Sequence, residues 1–153
     1  MGVGRKVVRG ALATSAVALP LLATAAPASA RELYSKDVFV DHTFTDFAGD
    51  DVTCTVEYRS ELSRDDTSTP YSAVTSTEIF ITDPLSIDAC RASVGVDTTY
   101  PDPEGVQRRA RAFGNEEVEL QLAEVQATYT TTHSVVFLNC SANCETGATT
   151  SPK

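Results

Sequence analysis

Apolar and polar residues alternate most regularly from Asp51 to Arg59. Val52, Cys54, Val56 and Tyr58 share one side of an extended chain, and Thr53, Thr55, Glu57 and Arg59 the other. A period of two is the mark of a half-buried strand. A less regular pattern predicts a first strand over Asp37 to Phe47, with Val38, Val40 and Phe44 on one face and Phe39 and Phe47 on the other. Apolar residues on both sides there suggest a bulge or burial on both faces. Ala48-Gly49-Asp50 supplies turn chemistry between the two strands, so they are expected to pair antiparallel.

Ser60 to Ser72 is polar, contains Thr69-Pro70 and reads as a loop. A strand follows near Val74 to Thr82, ended by Asp83-Pro84 because proline has no amide hydrogen to give a ladder. Another starts near Ala89, with Cys90, Ala92, Val94 and Val96 facing one way. Tyr100-Pro101-Asp102-Pro103-Glu104-Gly105 is the plainest turn segment. Ser134 to Cys140 gives a last strand, and its apolar residues on both faces suggest a position inside a sheet.

Between Gln107 and Ala127, helix competes with strand. Val118, Leu122 and Val125 sit at helical spacing, yet Gly114-Asn115 interrupts the run and Glu117, Glu119 and Gln121 alternate with Val118, Leu120 and Leu122. Two strands are therefore expected. If they form a hairpin, pairing Phe113 with Glu117 sets Ala112 beside Val118, Ala110 beside Leu120 and Arg111 beside Glu119, which segregates apolar from charged pairs and predicts a loop of three or five residues. About seven strands and no convincing helix point to an all-β fold, a two-sheet antiparallel sandwich with immunoglobulin-like connections.

Residues 1–30 have the layout of a secretion signal peptide: basic Arg5, Lys6 and Arg9, an apolar stretch from Ala11 to Ala25, and Ala28-Ser29-Ala30 as a small-residue cleavage site. The apolar run is short for the roughly 20 residues that span a bilayer. Cleavage would leave residues 31–144 as the β-sandwich domain and 145–153 as a flexible tail, with no membrane anchor. Of the 12 Lys and Arg, three leave with the signal, so 9 face 21 Asp and Glu, a net charge of −12. An acidic surface argues against nucleic acid and anionic membrane, and leaves an unknown extracellular partner, cationic or protein, open.

Cys54, Cys90, Cys140 and Cys144 in an exported chain read as two disulfides. Zinc is disfavoured, since no pair has Cys-x2-Cys spacing and neither His42 nor His133 stands near a cysteine in sequence. Of three connectivities, Cys54 with Cys90 and Cys140 with Cys144 is preferred. An extended Cys140 to Cys144 segment would span about 13 Å against the roughly 7 Å limit for a bridge, so Ser141-Ala142-Asn143 must turn, and Asn tolerates the left-handed conformation.

In size, signal and strand number the chain resembles small immunoglobulin-like domains of secreted proteins, and Ala127-Thr128-Tyr129 resembles their tyrosine corner; it departs from them in having no Trp and no Cys in the sixth expected strand. The resemblance implies a fold and no activity. No Gly-x-Ser-x-Gly elbow, phosphate loop or cofactor motif occurs, so no catalytic residue and no cofactor are expected. His42 beside Asp41 and His133 beside Ser134 read as ordinary strand residues. Asp46, Asp50 and Asp51, and Asp102 with Glu104, cluster at turns as calcium ligands do, although Asp is equally a turn former. Arg108, Arg109 and Arg111 form the one basic cluster, expected to pair with Glu117 and Glu119 and to guard a sheet edge. The functional expectations are a non-catalytic extracellular binding or structural module, or a protease inhibitor presenting Tyr100 to Gly105 or Ser63 to Tyr71 as a rigid loop.

Overall fold

Strict alternation of buried and exposed positions carries most of the chain into strands. The computed structural model describes residues 31–80 and 88–153, so the expected secretion signal and the expected strand end at Asp83-Pro84 lie outside the described residues. Eight strands form: β1 (Glu32–Thr45), β2 (Asp51–Arg64), β3 (Tyr71–Phe80), β4 (Ala92–Pro101), β5 (Gln107–Asn115), β6 (Glu117–Val125), β7 (Thr130–Phe137) and β8 (Glu145–Thr150). They make two antiparallel four-stranded sheets, β1-β2-β3-β6 and β5-β4-β7-β8, packed as a sandwich.

The core lies between the sheets and is built from the inward residues of each strand. Cys54, Val56 and Tyr58 of β2 meet Ala92, Val94 and Val96 of β4 and Val135 and Phe137 of β7. Each such buried Val or Phe contributes about 1.5–3 kcal/mol. A smaller cluster of Leu62, Tyr71, Ala73, Val125 and Tyr129 fills the end where β2 turns into β3. Tyr129 crosses between the sheets there. Its hydroxyl donates to Val74 O at 2.7 Å and accepts from Glu61 N at 2.9 Å, which fixes the start of β7 to β2 and β3 rather than to its own loop. Burial pushes the Tyr129 pKa up to about 12.

Four sequence expectations are corrected. β1 pairs with β2 without a break from Glu32 to Thr45, so its double-faced apolar pattern reflects neither a bulge nor two-sided burial: Phe39 and Phe47 are exposed. β2 runs on to Arg64 and β3 starts at Tyr71, which shortens the expected Ser60 to Ser72 loop to residues 65–70; the polar Ser60 and Thr75 are buried inside. Residues 145–150, expected as tail, form β8 against β7. The inward residues of β8, Thr146, Ala148 and Thr150, are too small and polar to announce a strand.

The fourth correction concerns Gln107 to Val125, which forms the two expected strands but no hairpin. β5 pairs with β4 and β6 with β3, in different sheets. Glu116 alone, at φ 60°, turns the chain across the sandwich, and its amide donates to Ala92 O at 3.0 Å. Ala112 and Val118 therefore join the same core from opposite sheets instead of lying side by side. Gly114 permits the crossing, because a Cβ there would overlap the carbonyl oxygen of Glu117. Gly114→Ala is expected to lower stability by about 1–3 kcal/mol in urea unfolding, by forcing backbone atoms apart.

Candidate functional site

The open face of the β1-β2-β3-β6 sheet carries the odd-numbered residues of β1 and β2, those of β6 up to Ala123, and the even-numbered residues of β3. Antiparallel register lines them into rows across the strands. One row reads Phe39, Glu57, Glu78, Glu117, and the next Asp37, Arg59, Ser76, Glu119. Phe80 follows two residues beyond Glu78 on the same face, and its ring meets Phe39 edge-on at 6.1 Å between centroids. Both rings are about half exposed.

Among the described residues this face holds Asp37, Asp41, Asp51, Glu57, Glu61, Glu78, Glu117 and Glu119 against the single cation Arg59. Arg59 is already engaged, donating to Glu61 Oε2 at 2.8 Å with Asp37 at 3.8 Å. Among the described residues no cation lies within ion-pair distance of Glu57, Glu78 or Glu117. Like charges directly opposite on neighbouring strands are destabilising. Partial burial first, and then the carboxylates of Glu117 and Glu57, push the Glu78 pKa up. A cation laid along the row would relieve that repulsion.

Comparison with known proteins returns no matching family model, curated protein or solved structure. The chemistry of the surface must therefore be read from its own residues.

Both expected disulfides form. Cys54–Cys90 joins β2 to the segment leading into β4, and so one sheet to the other, with Cα atoms 5.9 Å apart. Cys140–Cys144 closes a tight loop with Cα atoms 5.5 Å apart, and Asn143 takes the left-handed conformation at φ 60°. That loop covers the end of β1. Thr45 N donates to Ala142 O at 3.0 Å, Ser141 N to Thr45 O at 2.8 Å, and Asn143 Nδ2 to Thr43 O at 2.6 Å. His42 Nε2 donates to Asn143 O at 2.7 Å while its ring stacks on Phe137. Both disulfides lie at the same end of the sandwich as this capped edge, and capping removes part of β1 as a template for strand addition.

The turn aspartates are occupied by their own loops. Asp46 Oδ1 accepts from the amides of Ala48 and Asp50, Asp66 Oδ1 from Ser68, and Asp102 Oδ1 from Glu104 and Val106. Asp102 also takes Arg108 Nε at 2.8 Å. Despite the cost of its own burial, the Val106 amide and Arg108 hold its pKa below the usual carboxylate range. The structure groups no three candidate metal ligands among the described residues.

The arginines pair differently from expectation. Arg109 and Arg111 both grip Asp97 of the adjacent β4, at 2.7 and 2.8 Å, because Glu117 and Glu119 face out from the other sheet. These bonds, Arg109 first, hold Asp97 below its ordinary pKa. His133 is buried, its Nδ1 2.9 Å from the Thr77 hydroxyl and its Nε2 2.7 Å from that of Thr150, while Ser134 points out of the opposite face.

Alternation in the sequence placed Glu57, Glu78, Glu117 and Phe39 on strand faces. It could not show that they share one row, because register depends on which strands pair, and β3 with β6 is a pairing across more than thirty intervening residues.

Proposed function

We propose that this chain is a small secreted, non-catalytic β-sandwich module that binds a cationic polypeptide through the open face of its β1-β2-β3-β6 sheet. The observation that carries this is the uncompensated row Glu57–Glu78–Glu117, with exposed Phe39 at its end. Exposed aromatic rings flanked by carboxylates offer contact area together with charge complementarity for lysine and arginine side chains. Secretion is read from the signal-like residues 1–30. The two disulfides fit an oxidising compartment, and no helix among the described residues is long and apolar enough to cross a membrane.

The immunoglobulin-like reading rests on strand order. With β1 set aside, β2, β3 and β6 occupy the places of strands A, B and E, and β4, β7 and β8 those of C, F and G; β5 departs from the constant-type order by joining β4. The protease-inhibitor alternative draws less support. Both of its candidate loops are tight turns closed on Asp66 and Asp102, which leaves little extended chain to fill a protease cleft.

Titration with a lysine-rich decapeptide at low salt tests the reading. The combined Glu57→Gln, Glu78→Gln and Glu117→Gln variant is expected to bind about tenfold more weakly, since three exposed ion pairs at about 0.5 kcal/mol each are lost. The combined Asp65→Asn, Glu104→Gln and Glu145→Gln variant removes the same charge elsewhere and should bind nearly as the parent does. Equal weakening in both would reduce the effect to overall acidity and refute the site.

A further inference from the structure

At the end of the sandwich opposite the disulfides, residues 151–153 leave β8, cross from one sheet to the other and lie under the start of β1. Pro152 is buried, and Lys153 reaches a cluster made by Glu32 and Tyr34 of β1, Arg64 of β2 and Tyr71 of β3. Its Nζ stands 4.5 Å from the centre of the Tyr34 ring and 5.2 Å from that of Tyr71, and donates to the Tyr71 hydroxyl at 3.4 Å. The Tyr71 hydroxyl in turn donates to Glu32 Oε2 at 2.7 Å, and Arg64 holds the same oxygen at 2.8 Å.

Two aromatic rings flank the ammonium as in a cation-binding cage, and the Glu32 carboxylate is joined to it through the Tyr71 hydroxyl rather than by a direct ion pair; the Arg64 guanidinium shares the cluster, 4.4 Å from the centre of the Tyr71 ring. The carboxylate is already ionised by its neighbours: the Tyr71 hydroxyl first, then Arg64 and Lys153, outweigh its burial and hold Glu32 below the usual carboxylate range. Nothing about the cage is specific to Lys153 beyond its tether. The lysine is exposed, three residues past the last strand, and its one hydrogen bond into the cage is long. Glu32, Tyr34 and Tyr71, by contrast, belong to paired strands.

We propose that Glu32, Tyr34 and Tyr71 form a binding site for a primary alkylammonium group, filled within the chain by Lys153 and open to the lysine side chain of a partner polypeptide when residues 151–153 withdraw. The site is separate from the acidic sheet face and stands independently of its function. A tethered occupant competes as a high local concentration of ligand, so a free ligand sees only the fraction of molecules whose cage is open.

The test is an NMR titration of the tyrosine ring resonances with n-butylammonium chloride at constant ionic strength. In Lys153→Ala, saturable shifts are expected at Tyr34 and Tyr71. In the parent protein the same shifts should appear with an affinity about fivefold or more weaker, the effect of an occupied cage. Adding Tyr34→Leu to Lys153→Ala should abolish them; adding Glu32→Gln, which preserves side-chain volume, should weaken them and covers the case in which the leucine variant does not fold. Absence of saturable shifts in Lys153→Ala, equal affinity in parent and Lys153→Ala, or unchanged shifts in the Glu32→Gln combination would each overturn the proposal.

Discussion

Replacing Cys54 and Cys90 together by alanine is expected to lower the unfolding free energy by about 4 kcal/mol, and replacing Cys140 and Cys144 by about 2 kcal/mol. The bridged residues are separated by 36 positions in the first case and 4 in the second, and the longer loop loses more conformational freedom in the unfolded chain. The two bridges also differ in what they join. Cys54 and Cys90 are both buried in the main core and connect one sheet to the other, whereas Cys140–Cys144 shapes a loop over the edge of β1. For a domain with a typical stability of about 5–15 kcal/mol, the first loss is a large fraction of the whole. Urea unfolding of the two double variants measures the difference, and equal midpoint shifts would contradict the ranking.

Stability should fall by about 3 kcal/mol between pH 6.5 and pH 4 through His133 alone. Its ring is held neutral by burial, with the pKa lowered from the ordinary 6.5 to about 4. Thr77 and Thr150 satisfy both ring nitrogens, Tyr58 packs at 5.2 Å between ring centres, and among the described residues no carboxylate stands within ion-pair distance to stabilise an imidazolium. Above pH 6.5 neither the folded nor the unfolded state binds the proton, so the contribution is complete. As pH falls below 6.5 the unfolded chain takes the proton first, and stability drops until the folded state also binds it near pH 4. Glu78, with its raised pKa, works the other way and gains stability as pH falls. Asp97, Asp102 and Glu32, with lowered pKa values, lose theirs as pH falls from the ordinary carboxylate range downward, which overlaps only the lower end of the histidine window. Urea midpoints from pH 7.5 to 4.5 for the parent and for His133→Gln separate these effects. The variant should be less stable at neutral pH and lack the slope between 6.5 and 4.5; an unchanged slope would remove His133 as its cause.

Where a strand has a hydrophobic face, its existence and inward residues were legible locally. Val52, Cys54, Val56 and Tyr58 lie on the inner face of β2, as their alternation requires, and the turns at Gly49 and at Asp102 to Gly105 come where their residues predict them. The cysteine pairing preferred among three open connectivities is the one that forms, and Asn143 adopts the left-handed conformation expected of it. β8 was not legible, because Thr146, Ala148 and Thr150 carry little hydrophobic signal and the strand is defined by its ladder to β7. The cage of Glu32, Tyr34, Tyr71 and Lys153 was equally hidden, since it gathers two strands and a tail that only packing brings together.

The limit shows most clearly at Phe113 to Val118. The local pattern supports side-by-side pairing of Ala112 with Val118 and Arg111 with Glu119, and a hairpin would satisfy it. In the folded protein the same alternation is satisfied by placing the two strands face to face across the core, with Arg111 turned to Asp97 and Glu119 to the opposite surface. Both arrangements bury the same residues and expose the same charges. The sequence by itself determined which side of a strand such as β2 is apolar and where the chain turns, because these depend on neighbours a few residues away; among three possible cysteine pairings it only favoured the one that forms, since Cys54 and Cys90 are 36 positions apart. Tertiary structure alone decided which strand lies beside which, and hence that Glu57, Glu78 and Glu117 form one row and that Lys153 meets Tyr34. Those neighbours are set by the competition of whole strands for partners, and a period of two is blind to it.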